Sequence, residues 1–181
     1  MGWENLIHPT QTHSANVAFA KPGVIDYPDT DALVLDNFEQ TVYLRFADCT
    51  PVILYNRTKN IAAVAHAGWR GTAQKIVQRT VEMLGEGEIV AAIGPAICMN
   101  CYDVGQEVFE RLAPAAGEYE RRDGKIFVDL KAINAHQLRE AGVKEVDICP
   151  YCTCCNNDLF YSYREENGTQ NRHYAVIRLR T

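Results

Sequence analysis

The sequence IAAVAHAGWRG, residues 61–71, has two halves of different character. Five small or apolar residues lead to His66, as in a strand buried in a core. The next five positions hold two glycines, a tryptophan and an arginine. A core strand does not need such an ending, whereas a site at the end of a strand does, because the sheet fixes the backbone there and the following loop remains free. We therefore predict a buried strand that carries a ligand site at its end.

Five short apolar segments precede or include this stretch, and turn residues such as NRTKN separate them. The predicted early strands are 16–20, 31–36, 41–47, 51–56 and 61–66. Later segments predict further strands. One starts at residue 88 and ends at Gly94-Pro95, and the others lie at 143–149, 159–164 and 172–180. Strands and helices alternate without a strict βαβ rhythm, so the fold class predicted from the residues is a mixed α/β or α+β sheet fold.

Three helices are predicted between these strands. The first spans about 72–84 and ends at Gly85, because its apolar positions recur every three or four residues. Its inward stripe is Ala73, Ile76, Val77, Thr80, Val81 and Leu84. The second begins near Asp103, and the third is capped by Asp129 and ended by Gly142.

The size and charge of the chain limit its class. Its 181 residues suit a single domain, 1–181, and 47% hydrophobic residues with a net charge of −5 are typical of a globular protein. No apolar run is long enough to span a bilayer and the start of the chain lacks signal-peptide features, so we expect a cytoplasmic location. An acidic chain without a basic run predicts no nucleic-acid or membrane partner. We expect a monomer or a weak homo-oligomer.

Three residues with metal-ligand chemistry fall at the edges of predicted strands. His13 precedes the strand at 16–20, Cys49 follows the strand at 41–47, and His66 ends the strand at 61–66. Two imidazoles and a thiolate are a favoured zinc shell, and three protein ligands leave the fourth position open, as in catalytic zinc sites. Asp48, beside Cys49, is predicted to orient a ligand or a water molecule.

The glycines of the opening stretch predict an anion site beside this metal site. Gly68 and Gly71 permit close approach of the backbone, and the change from strand to helix leaves free N–H groups near the strand end. Arg70 adds a cation suited to phosphate or carboxylate. Trp69 is interpreted as a packing residue under the turn.

Seven motifs together resemble the YfiH-like family, whose members are described as laccase-domain polyphenol oxidases and as zinc-dependent purine nucleoside enzymes. In chain order they are TQTHS, DALV, ADCTPV, HAGWRG, IGPAI with CYDVG, DL with N and QL, and FYSYR. The resemblance covers residue 8 to the C-terminus and implies a layered α/β/β/α sandwich with mixed sheets. It also implies that His13, Cys49 and His66 bind the metal. Relative to the family, the chain is short at its N-terminus.

The resemblance implies two reactions on small molecules, the phosphorolysis of purine nucleosides and the deamination of adenosine. Zinc with an open position activates water, which suits deamination, and Asp48 is the expected proton carrier. For phosphorolysis, Arg70, Gly68 and Gly71 are expected to bind phosphate. Arg164, the last residue of the FYSYR motif, and Arg172 after it either support the structure or line the pocket.

Three alternatives remain open. A copper-dependent phenol oxidase would use the same ligands, although a multicopper laccase needs about ten histidines and this chain has five. A non-catalytic module would hold structural zinc through two CxxC pairs, Cys98 with Cys101 and Cys149 with Cys152. A thiol hydrolase would use Cys49 as a nucleophile activated by His66.

Overall fold

The structure, a computed structural model, describes residues 6–180. The strands of this part of the chain are β1 (Leu6–Ile7), β2 (Val17–Phe19), β3 (Ala32–Leu35), β4 (Thr41–Phe46), β5 (Thr50–Asn56), β6 (Ile61–Ala67), β7 (Ile89–Ile93), β8 (Asp103–Val104), β9 (Tyr119–Arg122), β10 (Lys125–Val128), β11 (Glu145–Ile148) and β12 (His173–Ile177). The α-helices are α1 (Trp69–Ala73), α2 (Ile76–Leu84), α3 (Gln106–Leu112) and α4 (Leu130–Glu140). None of the helices in residues 6–180 is long and apolar enough to cross a membrane.

A six-stranded mixed sheet forms the centre of the fold, in the order β11-β7-β5-β6-β3-β2. The pairs β2–β3 and β7–β11 are parallel, and the other pairs are antiparallel. A second sheet, β1-β4-β12, combines one parallel and one antiparallel pair. A third, β8-β10-β9, is antiparallel. The predicted mixed α/β fold with several mixed sheets is therefore confirmed.

The two faces of the central sheet bury two apolar cores, which is why β3 is buried at every position. On one face, Val52 and Leu54 of the sheet pack with helices α2 and α4. On the other face, Leu33 and Val64 pack with the β1-β4-β12 sheet, including Phe46. A strand between two such layers reads as a continuous apolar run. A third cluster lies around α3 and β10.

The first predicted helix is divided in two. Lys75 takes a left-handed conformation, with φ 63° and ψ 41°, so the chain turns between α1 and α2. The predicted inward stripe is otherwise retained, since α2 buries Ile76, Val77, Thr80, Val81 and Leu84. The prediction that Gly85 ends the helix is confirmed, with φ 70° at this position.

The helix expected near Asp103 begins three residues later, at Gln106. Asp103 and Val104 instead pair with β10 as strand β8. The hairpin of β9 and β10 was not predicted, although Asp123-Gly124 between them is a typical two-residue hairpin turn with positive φ at both positions.

The strand predicted at 159–164 is wrong. This segment forms turns, in which the backbone N–H groups of Leu159 and Phe160 both donate to the carbonyl of Asn156. The N–H of Arg164 donates to the carboxylate of Asp48. The apolar and aromatic residues suggested a strand, but local turns and a distant side chain take these backbone donors.

We expect Leu54→Ala to lower the free energy of unfolding by about 2–5 kcal/mol, because it leaves a cavity in the core between the sheet and α2. Leu54 is fully buried in β5, whereas Leu159 is 63% exposed. Chemical denaturation of both variants measures the effect, and Leu159→Ala should change stability by no more than about 0.5 kcal/mol. Equal losses in both variants would contradict this assignment of the core.

Candidate metal centre

His13, Cys49 and His66 meet in space, although they come from three separate segments. His13 lies in the loop before β2, Cys49 between β4 and β5, and His66 near the end of β6. One nitrogen of each histidine and the Cys49 sulfur all lie within 4.8 Å of one another. The two imidazole rings approach edge to face, with centroids 4.8 Å apart. The sequence-predicted ligands thus form one compact donor set.

Asp31 orients the buried histidine of this set. The Nδ1 atom of His66 lies 2.8 Å from Oδ1 of Asp31, and both side chains are buried. This contact leaves Nε2 as the ring nitrogen available to a ligand. A carboxylate behind a histidine is the usual support of a metal-binding imidazole, because it fixes the tautomer and the ring orientation.

The same carboxylate also holds the loop that carries His13. Asp31 accepts hydrogen bonds from the backbone N–H groups of Thr12, His13 and Ser14, at 3.1, 3.1 and 2.7 Å. The Ser14 hydroxyl adds a further bond of 2.8 Å. His13 has a positive φ of 63°, an unfavourable backbone conformation for a non-glycine residue that these bonds help to maintain.

The electrostatics of the set favour charged forms. Burial raises the pKa of the Cys49 thiol, but the positive charge of His66 and the neighbouring His13 outweigh it and lower that pKa to about 6. Burial lowers the pKa of His66, but Cys49 and Asp31 raise it to about 9. Burial raises the pKa of Asp31, but the hydrogen bond and charge of His66 together with the hydrogen bonds from Ser14 lower it to about 2. The pocket therefore stabilises the Cys49 thiolate, which is the form that binds metals.

Gly68 lets the backbone pass directly beside the donor set. A Cβ atom at this position would lie 3.0 Å from the Cys49 sulfur and 3.0 Å from Cδ2 of His13. Gly71 lies further along, where a Cβ atom would meet the carbonyl of Ser14 at 2.9 Å. Gly68 thus borders the donor set, while Gly71 packs α1 against the His13 loop.

Both carboxylate oxygens of Asp48 are already bound. Oδ1 accepts the Thr153 hydroxyl at 2.7 Å, and Oδ2 accepts the backbone N–H of Arg164 at 2.7 Å. Asp48 is 8% exposed and has a φ of 77°. It joins the Cys49 turn to the C-terminal segment of the chain.

A cavity of about 610 Å³ opens over the donor set. Four arginines line it: Arg45, Arg70, Arg164 and Arg172. Arg164 is committed to Asp103, and Arg172 to the backbone carbonyls of its own loop. The guanidinium groups of Arg45 and Arg70 make no hydrogen bond or ion pair with other side chains in residues 6–180, so they remain available to an anion.

Trp69 and Tyr102 form part of the wall of the same cavity. The Trp69 ring lies under the guanidinium group of Arg70, 4.3 Å from centroid to Cζ, and also packs against the third core cluster. Burial raises the pKa of Tyr102, so its hydroxyl stays protonated. Trp69 therefore has the predicted packing role and lines the cavity as well.

A family model described as multi-copper polyphenol oxidoreductase laccase matches residues 1–180. The chain belongs to this YfiH-like family. It is 35% identical to adenosine deaminase RL5 of an unknown prokaryotic organism, over 96% of this chain and 75% of that protein. It is also 35% identical to purine nucleoside phosphorylase YlmD of Geobacillus stearothermophilus, over 83% of this chain and 60% of that protein.

Two solved structures share the fold. YfiH of Bacillus licheniformis superimposes with a TM-score of 0.91 at 29% identity, over 97% of this chain and 74% of that one. YlmD of Geobacillus stearothermophilus gives a TM-score of 0.91 at 30% identity, over 99% and 75%. The chain spans 60% of the length of the YlmD sequence and about three quarters of the two solved chains.

Some residues of the site were not predicted from the sequence. Asp31 had a usable signal, since a charged residue directly before a continuously apolar strand needs a buried partner. Arg45 had one as well, because it interrupts the apolar segment TVYLRFA. Tyr102 carried no signal in its local pattern, and only its place in the CYDVG motif could have pointed to it.

We expect Gly68→Ala to weaken metal binding by His13, Cys49 and His66, because the added methyl group would push against the Cys49 sulfur. Gly105 is a matched control, since both glycines cap a helix with nearly the same backbone angles and a Cβ atom at Gly105 meets nothing within 4 Å. Zinc affinity measured by competition with a chelator should fall only for Gly68→Ala. An equal effect at Gly105 would show that the helix start, and not the ligand contact, is responsible.

We expect Asp31→Asn to lower metal affinity roughly 10–100-fold, the usual cost of removing a carboxylate that supports a ligand histidine. The substitution also replaces one carboxylate oxygen by an NH₂ group. This group cannot accept the hydrogen bonds that the loop N–H groups now donate to Asp31. Asp36→Asn, which changes an exposed carboxylate directly after the other end of β3, should leave metal affinity unchanged. The same titration measures both variants, and unchanged affinity in Asp31→Asn would contradict this role of Asp31.

Proposed function

We propose that this chain is a zinc-dependent purine nucleoside enzyme, and that its main reaction is the phosphorolysis of adenosine and inosine. The observation that carries the proposal is a cavity in which two free arginines face a His, Cys, His donor set. The volume of about 610 Å³ falls within the usual range for small-molecule sites. The activities for which YlmD and RL5 are named support a purine nucleoside as the substrate class.

His13, Cys49 and His66 fit zinc by their chemistry, since imidazole and thiolate are both preferred zinc ligands and the Cys49 thiolate is stabilised in place. Bound there, the ion would supply Lewis acidity and lower the pKa of water. Copper also accepts these ligands. The other three histidines of the chain lie elsewhere: His8 contacts Tyr43, His136 binds Glu118, and His173 packs between Phe46 and Phe160. This distribution argues against a multicopper oxidase.

In phosphorolysis a phosphate oxygen forms a bond to C1′ of the ribose, and the bond from C1′ to N9 of the purine breaks. Arg45 and Arg70 would bind the phosphate, because guanidinium groups match its oxygens in pairs. The electron pair of the broken bond goes to the purine, which therefore needs a hydrogen-bond donor. We propose that the protonated hydroxyl of Tyr102 is this donor, since it lines the same cavity.

Deamination of adenosine is the second candidate, and the similarity to RL5 favours it. Water would replace the amino group at C6 and release ammonia. That reaction needs a proton carrier beside the purine. Asp48 is a poor candidate because Thr153 and Arg164 occupy both of its oxygens. The reaction also makes no use of the free arginines, and phosphorolysis is therefore the better-supported proposal.

The purified chain incubated with adenosine should form adenine and ribose 1-phosphate only when phosphate is present. Arg70→Gln should raise the KM for phosphate about 10–100-fold, the range for a lost charge-assisted hydrogen bond. Arg57→Gln is the control, because Arg57 pairs with Glu88 and Glu145 at the surface, outside this cavity. His66→Ala should abolish the reaction.

Each other outcome has its own meaning. Inosine and ammonia formed equally without phosphate would favour deamination. Oxidation of a phenol with copper bound would support the oxidase alternative. Inactivation by alkylation of Cys49 in active protein that contains no metal would support the thiol hydrolase.

A further inference from the structure

Four cysteine sulfurs outside the candidate active site form a second cluster. They belong to Cys98, Cys101, Cys152 and Cys155, and all lie within 4.8 Å of one another. The sulfur of Cys101 is 3.8 Å from that of Cys98 and 3.4 Å from that of Cys155. Four sulfurs bound tetrahedrally to one zinc at about 2.3 Å are separated by about 3.8 Å. The spacing thus matches the ligands of one ion.

This set differs from the four cysteines that the sequence suggested. The sequence suggested two CxxC pairs, Cys98 with Cys101 and Cys149 with Cys152. In the structure Cys149 lies outside the cluster, and Cys155 is its fourth member. The second pair is therefore Cys152-x-x-Cys155, which has the same spacing as Cys98-x-x-Cys101. Two CxxC turns far apart in the chain are a typical arrangement of a four-cysteine structural zinc site.

The backbone around the cluster is arranged for a thiolate. The N–H of Cys98 donates to the sulfur of Cys152 at 3.2 Å, and the N–H of Cys155 donates to the same sulfur at 3.4 Å. Cys152 is buried, and two N–H donors to a buried sulfur compensate negative charge on it. Hydrogen bonds of this kind indicate a ligand sulfur more than a neutral thiol.

The two turns are held side by side by the backbone. Ala96 and Cys152 form an isolated parallel bridge, and the N–H of Thr153 donates to the carbonyl of Ala96 at 3.2 Å. Within the first turn, the N–H of Cys101 donates to the carbonyl of Cys98. The ligand geometry therefore rests on backbone contacts and not only on side-chain rotamers.

We propose that Cys98, Cys101, Cys152 and Cys155 bind a structural zinc ion, separate from the site of His13, Cys49 and His66. The remaining two cysteines of this region do not take part. The sulfur of Cys154 contacts Glu165, and neither Cys149 nor Cys154 belongs to the set of four sulfurs that lie within 4.8 Å of one another.

This zinc site joins two segments that form the wall of the cavity. Tyr102 directly follows the first turn, and the Thr153 hydroxyl within the second turn donates to Asp48. Arg164 donates to the carbonyl of Cys101 at 3.2 Å. A metal ion at the four cysteines fixes the distance between these segments, which are more than 50 positions apart in the sequence.

The test is the zinc content of the purified chain, measured by elemental mass spectrometry. We expect two zinc ions per wild-type chain, one in Cys155→Ser, one in His66→Ala and none in the double variant. Cys154→Ser, the neighbouring substitution, should retain both ions. This count does not depend on whether the chain acts on nucleosides, so it stands or falls separately from the proposed reaction.

A second measurement avoids the Cys155 variant, which could fail to fold. X-ray absorption of the single zinc in His66→Ala should show four sulfur neighbours at about 2.3 Å. One zinc per wild-type chain that disappears in His66→Ala would overturn the proposal, and so would a zinc shell containing nitrogen in that variant. Iron bound by the four cysteines, or a disulfide between any two of them in the freshly purified protein, would overturn it too.

Discussion

The buried carboxylate of Asp31 is the interaction on which the candidate active site depends. It accepts hydrogen bonds from three consecutive backbone N–H groups, at Thr12, His13 and Ser14, and contacts the ring of His66. A fully buried charge is costly unless it is paired and hydrogen-bonded, and these partners compensate it. One side chain thereby fixes both histidines of the donor set, one through its backbone and the other through its ring.

Asp48 has the corresponding role on the other side of Cys49. It joins the turn between β4 and β5 to Thr153 and Arg164 in the C-terminal segment. The two carboxylates thus connect the candidate metal ligands to two different parts of the chain, Asp31 to the N-terminal loop and Asp48 to the segment after β11. The proposed four-cysteine zinc site would strengthen the second connection, since Thr153 lies between two of its ligands.

The four arginines that line the cavity fall into two pairs, one that is hydrogen-bonded to the protein and one that is free to bind an anion. Arg164 and Arg172 are held by hydrogen bonds to the protein, whereas Arg45 and Arg70 are not committed in this way. The relatives are named for two reactions, deamination of adenosine and phosphorolysis of purine nucleosides, and the two place different demands on such a site. A His, Cys, His donor set alone would suit water activation by a bound metal, whereas the same set beside two uncommitted arginines would suit phosphate. Our proposal of phosphorolysis rests on this second arrangement.

The sequence by itself determined the strands of the central sheet, the amphipathic stripe of α2 and the Asp129 cap of α4, because these follow from local periodicity and hydrogen bonding. It also indicated His13, Cys49 and His66, since donor type and strand ends can be read locally. Only the tertiary structure decided that Asp31 supports His66 across 35 positions and that Cys155, not Cys149, joins the four-cysteine cluster. It also decided that residues 159–164 form turns. The physical reason is distance along the chain: Asp31 and His66, the two CxxC turns, and Asp48 and Arg164 are brought together only by the packing of the sheets and loops. The turns at Leu159 and Phe160 are local, but a periodic apolar pattern does not distinguish them from a strand.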